Sequence, residues 1–321
     1  MTLIRLFLFA LASIMSIPAF AADAYPTKPI RILVGYTAGG AVDVVARTIG
    51  QHMAGTLGQP VIIENKPGAG TNIAVRSLID SPPDGYTLMM TANALAANMA
   101  LYQPVPFDAE RDVVPVSMVG RVPVVIAAGA ASEFTTLNKL IESAKAKPGT
   151  VNYATPGNGS TPHLATELFA RAAGIQLTHV PYKGGSQAIT DVLGGQVPLV
   201  AVNALEVIPH VKAGKLRVLA VMSASQTSML PGAPTIAESG YPGFEASVWY
   251  GVIAPAKTPQ AIVDQLHQAV QKALASPEVQ KRISDVGGEV TPGSAAQFKT
   301  LIHDERVRYE KLVREAKIRL D

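Results

Sequence analysis

The chain has 321 residues, no cysteine and a formal net charge of +3 at pH 7. The absence of cysteine excludes disulfides, thiolate metal sites and a cysteine nucleophile. The small net charge, without a dense Lys/Arg tract, argues against nucleic-acid binding. At about 150 residues per domain, the length predicts two domains.

The N-terminal segment predicts export. Arg5 is the only charged residue in the first 22, and an apolar run, 6–17, leads to the small-residue sequence Ala19-Phe20-Ala21. This pattern is typical of a cleavable signal peptide, and we expect cleavage after Ala21 and a periplasmic protein. The alternative, an uncleaved membrane anchor, is disfavoured because a spanning helix needs about 20 apolar residues.

The next part of the chain alternates β-branched runs with runs of helical period, which predicts a parallel α/β arrangement. Apolar residues recur at helical spacing from Val42 to Leu57, and Gly58 is expected to end that helix. The elements predicted here are a strand at 30–36, a helix at 42–57, a strand at 61–64, a helix through 78 and a strand at 86–91.

After Arg111 the same alternation starts again, which predicts a second α/β unit. Thr258 is the predicted N-cap of a late helix, with Pro259 at its first position. The elements predicted are strands at 116–128, 151–155, 179–182, 197–202, 216–223 and 244–254, and helices at 137–145, 162–173, 186–194, 259–274 and 295–316.

Two long apolar segments, 116–128 and 244–254, flank this second unit. If each crosses between the units, they form a two-strand hinge between two lobes. The predicted division is a signal peptide at 1–21, a discontinuous lobe I at 22–122 and 245–321, and lobe II at 123–244.

The loop after the first strand is a candidate anion site. It contains the small residues Thr37, Ala38, Gly39 and Gly40, followed by Asp43 at the start of a helix. A helix N-terminus that no bulky side chain covers presents N–H groups and a partial positive charge to anions. The alternative is that the two glycines only permit a tight turn, with Asp43 as a cap.

Two further loops have the same character. The second contains Asn158, Gly159 and Ser160 ahead of His163, with Thr161 as the predicted N-cap and its neighbouring proline at the first helical position. The third contains Lys183, Gly184 and Gly185. Lys183 is either a counter-charge for a ligand or a solvated side chain.

Helix N-termini from two lobes that face one cleft would hold a carboxylate from both sides. Hydrogen bonds to an ionised group are worth about 1.5–3 kcal/mol each, so micromolar binding is within reach. We therefore predict a binding protein that needs no metal and no cofactor.

An enzymatic alternative would use Ser160 and His163 as a hydrolase pair. However, the sequence around Ser160 lacks the G-x-S-x-G elbow, and the six histidines show no metal-ligand spacing. His163 is expected to be a packed side chain rather than a base. Trp249, the single tryptophan, either lines the cleft or packs in the core.

Seven segments of the chain resemble the extracytoplasmic receptors of the tripartite tricarboxylate transporter family, often called Bug proteins. They are 25–47, 61–74, 83–88, 151–165, 180–197, 209–221 and 233–255. The resemblance implies a type II periplasmic binding protein fold. In that fold two lobes, each a mostly parallel sheet flanked by helices, are joined by two crossing strands.

The resemblance also implies a function and a site. A monomeric receptor would close on a small organic carboxylate through the three loops and deliver it to membrane permease subunits, or present it to a sensor kinase. The strand end Thr91, Ala92 and Asn93 would face the rest of the ligand.

Two positions depart from the family pattern. The first loop reads Tyr-Thr-Ala-Gly-Gly where relatives commonly have Phe-x-Pro-Gly-Gly, and Asn203 stands where many relatives carry an acidic residue. Loss of that charge would favour a second carboxylate or a neutral tail over an amino group, unless Asn203 only caps the next helix. The ligand stays open among dicarboxylates, citrate-like acids and aromatic carboxylates.

Overall fold

The computed structural model describes residues 25–182, 184–285, 287–316 and 318. The predicted signal peptide and Lys183 lie outside these residues. In the part of the chain that the structure describes, no helix has the length and apolar character required to cross a bilayer.

The described residues form ten strands that belong to one sheet. The strands are β1 (Ile30–Val34), β2 (Val61–Asn65), β3 (Thr87–Thr91), β4 (Val113–Gly129), β5 (Asn152–Thr155), β6 (Thr178–Pro181), β7 (Leu199–Asn203), β8 (Leu216–Val221), β9 (Ser247–Pro255) and β10 (Glu289–Gly293).

Helices cover both ends of this sheet. They are α1 (Ala41–Leu57), α2 (Asn72–Ile79), α3 (Ala94–Leu101), α4 (Ala109–Asp112), α5 (Leu137–Ala146), α6 (Thr161–Ala173), α7 (Gly185–Leu193), α8 (Ala204–Lys212), α9 (Gln260–Leu274), α10 (Pro277–Asp285) and α11 (Ala295–Ala316), with a 3₁₀ turn at Ala69–Thr71.

The strand order is β2-β1-β3-β9-β4-β7-β5-β6, and β8 and β10 also pair with β4. Three strands, β1, β2 and β3, pair in parallel at one end, and β5, β6 and β7 pair in parallel at the other. This is the two-lobed α/β fold that the alternating sequence pattern predicts. The loops that follow the parallel strands lie at the carboxyl ends, where ligands bind in such sheets.

The 17-residue strand β4 joins the two parallel groups. Its first part, up to Pro123, pairs with β9, and its second part, from Val124, pairs with β7 and β8. Nearly all of its side chains are buried, which explains why the sequence shows a continuous apolar run rather than an alternating one.

The return connection is made just before β9. The N–H of Ala246 donates to the carbonyl of Met222, which follows β8, at 2.8 Å, and from Ser247 onward the chain pairs with β4 and β3. The predicted strand at 244–254 therefore begins three residues too early, because its first residues make the connection between the two strand groups.

Several predicted boundaries differ from the structure by one to three residues. The strand predicted at 30–36 ends at Val34, and a Cβ on the next residue, Gly35, would contact Thr71. Ser160, rather than Thr161, is the N-cap of α6, and Pro259, rather than Thr258, precedes α9. The Thr258 hydroxyl instead donates to the carbonyl of Pro255 at 2.8 Å.

Five elements were not predicted from the sequence: α3, α4, α8, α10 and β10. In α3 six of the eight residues are buried, so the helix has no polar face to reveal its period. In α8 a proline, Pro209, lies inside the helix, and because proline disfavours a helix interior, the sequence does not indicate a helix there.

Candidate functional site

The loop between β1 and α1 is held by the carboxylate of Asp43. This side chain is 2 % exposed and accepts hydrogen bonds from the Gly39 N–H at 2.9 Å, from Arg47 Nε at 2.9 Å and from Asn65 Nδ2 at 2.8 Å. Gly39 adopts a φ of 84°, a conformation that a residue without a side chain adopts at little cost. Asp43 thus fixes the loop rather than offering its oxygens to a ligand.

These contacts also set the charge of Asp43. Burial alone would raise the pKa of its carboxyl, but the hydrogen bonds from Arg47, Gly39 and Asn65 outweigh burial, and the pKa is lowered. Asp43 is therefore ionised at neutral pH, and Arg47 compensates its charge. Thr37, Ala38, Gly39 and Gly40 are exposed, and the N-cap Gly40 supplies no side-chain cap, so the first turn of α1 is open to an anion.

The second loop, between β5 and α6, is held by His163. Its Nδ1 accepts from the Gly159 N–H at 3.1 Å, and Gly159 has a φ of 73°. The Ser160 hydroxyl oxygen accepts from the backbone N–H of His163 at 3.4 Å, which makes Ser160 the N-cap of α6. A hydroxyl that accepts in this way keeps its own proton, so Ser160 can still donate to a carboxylate.

His163 itself is buried and stacked against a second histidine. The ring centroids of His163 and His179 are 3.9 Å apart, and His179 Nε2 lies 2.6 Å from the hydroxyl of Thr155. Burial, with a smaller contribution from His179, lowers the pKa of His163 to about 3, so the ring is neutral. It positions the loop, and its hydrogen bond to Gly159 is not the contact that a hydrolase pair with Ser160 would require.

The third loop precedes α7, and a protein carboxylate already lies against it. A Cβ on Gly185 would overlap the carboxylate of Glu206, and Gly184 gives α7 no side-chain cap. The carboxylate of Glu206 thus lies next to the start of α7, where the sequence predicts an anion contact at Gly184 and Gly185. The predicted role of Lys183 falls outside the described residues.

Asn203 ends β7 and forms the N-cap of α8. Its backbone N–H and its Nδ2 donate to Glu206 Oε1 at 3.3 and 3.2 Å. Asn203 pairs in register with Val124, at the point where β4 changes partners. Both proposed roles of Asn203 from the sequence, helix cap and cleft residue, are compatible with this position.

The strand end at Thr91, Ala92 and Asn93 is almost fully buried. Asn93 Nδ2 donates to the Ser247 carbonyl, to Glu305 and to Tyr309 at 3.1–3.2 Å, and its Oδ1 accepts from the Trp249 N–H at 2.9 Å. These bonds use both donors of the Asn93 amide, and the side chain is fully buried. This differs from the expectation that Asn93 faces the ligand: it ties β3 to β9 and α11.

Sequence reasoning missed two tyrosines of the site. Tyr36 follows β1, and burial raises its pKa to about 12. Tyr250 in β9 is 1 % exposed, and burial, followed by the proximity of Tyr36 and of Glu206, raises its pKa. Tyr36 follows β1, Glu206 lies in α8 and Tyr250 lies in β9, so these residues come together only in the folded chain. Trp249 packs instead against Phe298, with ring centroids 5.3 Å apart.

The described residues contain no group of three or more His, Asp or Glu side chains positioned to hold a metal. The two-lobed fold, with an open helix N-terminus in one lobe and a glycine-serine loop in the other, defines a substrate-binding protein. The family model described as the tripartite tricarboxylate transporter family receptor matches residues 45–318. The chain belongs to this family, whose members bind substrates rather than convert them.

Individual relatives agree with this assignment. The protein BugT of Bordetella pertussis is 38 % identical over 301 residues, which cover 93 % of this chain and 92 % of BugT. An R. palustris protein with adipate has a TM-score of 0.82 at 34 % identity and covers 92 % of this chain and 99 % of its own. MatC from Rhodopseudomonas palustris with bound malate has a TM-score of 0.78 at 30 % identity, with coverage of 90 and 100 %.

Proposed function

We propose that this chain captures a small organic carboxylate between its two lobes and delivers it to the permease subunits of a tripartite tricarboxylate-type transporter. The observation that carries the proposal is the open first turn of α1, fixed by buried Asp43, together with the Ser160 loop, fixed by buried His163. Both supply hydrogen-bond donors to an anion, and neither brings a general base.

The relatives support the ligand class. The two R. palustris proteins contain malate and adipate, which both carry carboxylates. The matching family is described as a transporter receptor, which favours delivery to permease subunits over presentation to a sensor kinase. Within the site, the donors in contact with the carboxylate are the N–H groups after Gly40 and the hydroxyl of Ser160.

The proposal includes a location and a division of the chain. We infer export to the periplasm with cleavage after Ala21, and a monomeric receptor whose lobes are 22–122 with 245–321, and 123–244. The change of partner along β4 between Pro123 and Val124 supports the boundary between the lobes.

The test is a thermal-shift screen of the protein without residues 1–21 against carboxylates and their matched amides. A ligand that binds only the folded state at a hundredfold excess over its Kd stabilises it by about 2.7 kcal/mol. We expect a subset of carboxylates to raise the melting temperature and their amides to have no effect. Amides that shift the melt as strongly as the acids would contradict the proposal.

A substitution at the loop makes the test specific. Replacing Ser160→Ala removes one hydrogen bond to an ionised group, worth about 1.5–3 kcal/mol, so the Kd of the best carboxylate should rise by about 10- to 100-fold. Calorimetric titration measures this, with Ser143→Ala in α5 as the matched control. An unchanged Kd in Ser160→Ala would remove this loop from the site.

A further inference from the structure

A half-buried acidic group lies against the third glycine loop. Glu206 is in the first turn of α8, and its carboxylate lies against Gly185 at the start of α7. Burial raises the pKa of Glu206, although the hydrogen bonds from Asn203 act in the opposite direction. Among the residues that the structure describes, no cation is paired with it.

The groups around Glu206 offer acceptors. Glu206 Oε1 takes both hydrogen bonds from Asn203, and Asn203 Oδ1 faces the backbone N–H of Glu206 in a capping box without making a hydrogen bond of good geometry within the described residues. A buried acceptor without a partner costs free energy unless a donor reaches it. The arrangement is therefore short of donors, which a ligand would have to supply.

Tyr250 connects this acceptor cluster to the first lobe. The pKa of Tyr250 is raised by burial and, to a smaller extent, by the charges of Tyr36 and of Glu206, so each of these two groups lies within electrostatic range of Tyr250. Tyr36 immediately precedes the α1 loop, and Asn203 lies opposite Val124 in β4. Asn203 ends β7, which pairs in parallel with β5, so Asn203 and the Ser160 loop lie at the carboxyl ends of neighbouring strands, at the same edge of the sheet.

We propose that Glu206 and Asn203 form the subsite for the distal end of the ligand and select a hydroxyl or an ammonium group there, rather than a second ionised carboxylate. This inference rests on the proposed function, because it assumes that a carboxylate at the other end is held by the α1 and Ser160 loops. A second carboxylate beside Glu206 would place two like charges together in a buried site.

The subsite reverses an expectation from the sequence. In the sequence, the neutral side chain of Asn203 favours a second carboxylate or a neutral tail over an amino group. In the folded chain, Glu206, three residues later, brings an acidic group to the same place.

The experiment compares ligands of equal length that differ only at the distal end, by calorimetric titration at about pH 7.5. One series is butyrate, 4-hydroxybutyrate, 4-aminobutyrate and succinate, and the longer one is hexanoate, 6-hydroxyhexanoate, 6-aminohexanoate and adipate. We expect the hydroxyl or amino member of one series to bind at least about tenfold more tightly than its dicarboxylate, because a like charge is costly in a buried site.

The variant Glu206→Gln keeps the size of the side chain and removes its charge. We expect it to reduce the preference over the dicarboxylate by about tenfold. Glu142→Gln, an exposed acid in α5 of the same lobe, should leave the preference unchanged. Because the readout is a ratio of affinities within one variant, a general loss of stability in Glu206→Gln does not affect it.

Two outcomes would overturn the inference: a wild-type protein that binds succinate or adipate more tightly than the hydroxyl and amino members, or an equal preference in wild type and Glu206→Gln. Amides of the carboxylate end that all these ligands share distinguish a failure of this inference from a failure of the proposed function. If the acids bind and their amides do not, but the distal preference ignores Glu206, only this inference fails. If the amides bind equally well, the proposed function fails, and this inference fails with it.

Discussion

Buried His163 and half-buried His179 form a stacked neutral pair that positions the Ser160 loop. Burial lowers the pKa of His163 to about 3 and that of His179 to about 4, whereas both titrate near 6.5 in an unfolded chain. The unfolded state therefore binds more protons than the folded state between these values. Their contribution to stability is complete above about pH 6.5 and is lost as the pH falls toward about 4.

This predicts that the free energy of unfolding decreases measurably as the pH is lowered. Between about pH 6 and pH 5 the free energy of unfolding should fall by about 1.4 kcal/mol per pH unit through His163, and by less through the more exposed His179. Urea denaturation across this range measures the slope. His163→Gln should flatten it by about one proton, while His210→Gln, outside the stacked pair, should not; equal slopes in wild type and His163→Gln would contradict this role.

Several individual roles depended on tertiary contacts that sequence alone does not contain. The glycine loops were recognisable because glycine next to a helix start has a local meaning. The engagement of Asn93 with Glu305 and Tyr309 joins residues more than 200 positions apart. Likewise, nothing local distinguishes Glu206 from an ordinary capping residue until Gly185 packs against it.

Strand β9 is packed tightly against helix α11. Gly251 lies where a Cβ would overlap the ring of Phe298, which is fully buried and contacts Trp249 edge to face. The close approach is needed because β9 pairs on both sides, with β3 and β4, and cannot move away from the helix.

Gly251→Ala should therefore lower the free energy of unfolding by about 1–3 kcal/mol through overpacking. The matched control is Gly55→Ala in α1, where no atom lies within 4 Å of the new Cβ. Removing a glycine from a helix interior should stabilise by about 0.5–1 kcal/mol. Chemical denaturation measures the free energy of unfolding of both variants. A Gly251→Ala protein as stable as wild type would show that β9 and α11 separate easily.

The regular elements were predictable where their pattern was periodic. The helix over 295–316 and the apolar strands that carry β1, β3 and β4 have clear patterns, and the structure confirms them. The fully buried helix α3 and the proline-containing α8 have no such pattern. The start of β9 was misplaced because buried Ala246 continues the apolar pattern of the strand. Its backbone N–H bonds to Met222 instead, before the chain joins β9.

For the molecule as a whole, the sequence predicted the α/β class, the two-lobed fold and the family, all of which the structure and the relatives confirm. These properties follow from repeated local patterns and from segments spread along the chain. The position of the lobe boundary and the ligand stay predictions. The structure adds one group to the candidate site that the sequence did not predict, because Glu206 packs against Gly185 at the start of α7.

The central claim is that one carboxylate is held jointly by the first turn of α1 and by the Ser160 loop. A crystal structure with the tightest carboxylate of the panel tests it most directly. We predict carboxylate oxygens within hydrogen-bonding reach, direct or through one water, of the N–H groups after Gly40 and of the Ser160 hydroxyl, with the distal end toward Glu206. A carboxylate bound outside the cleft, or held by only one of the two loops, would contradict the account.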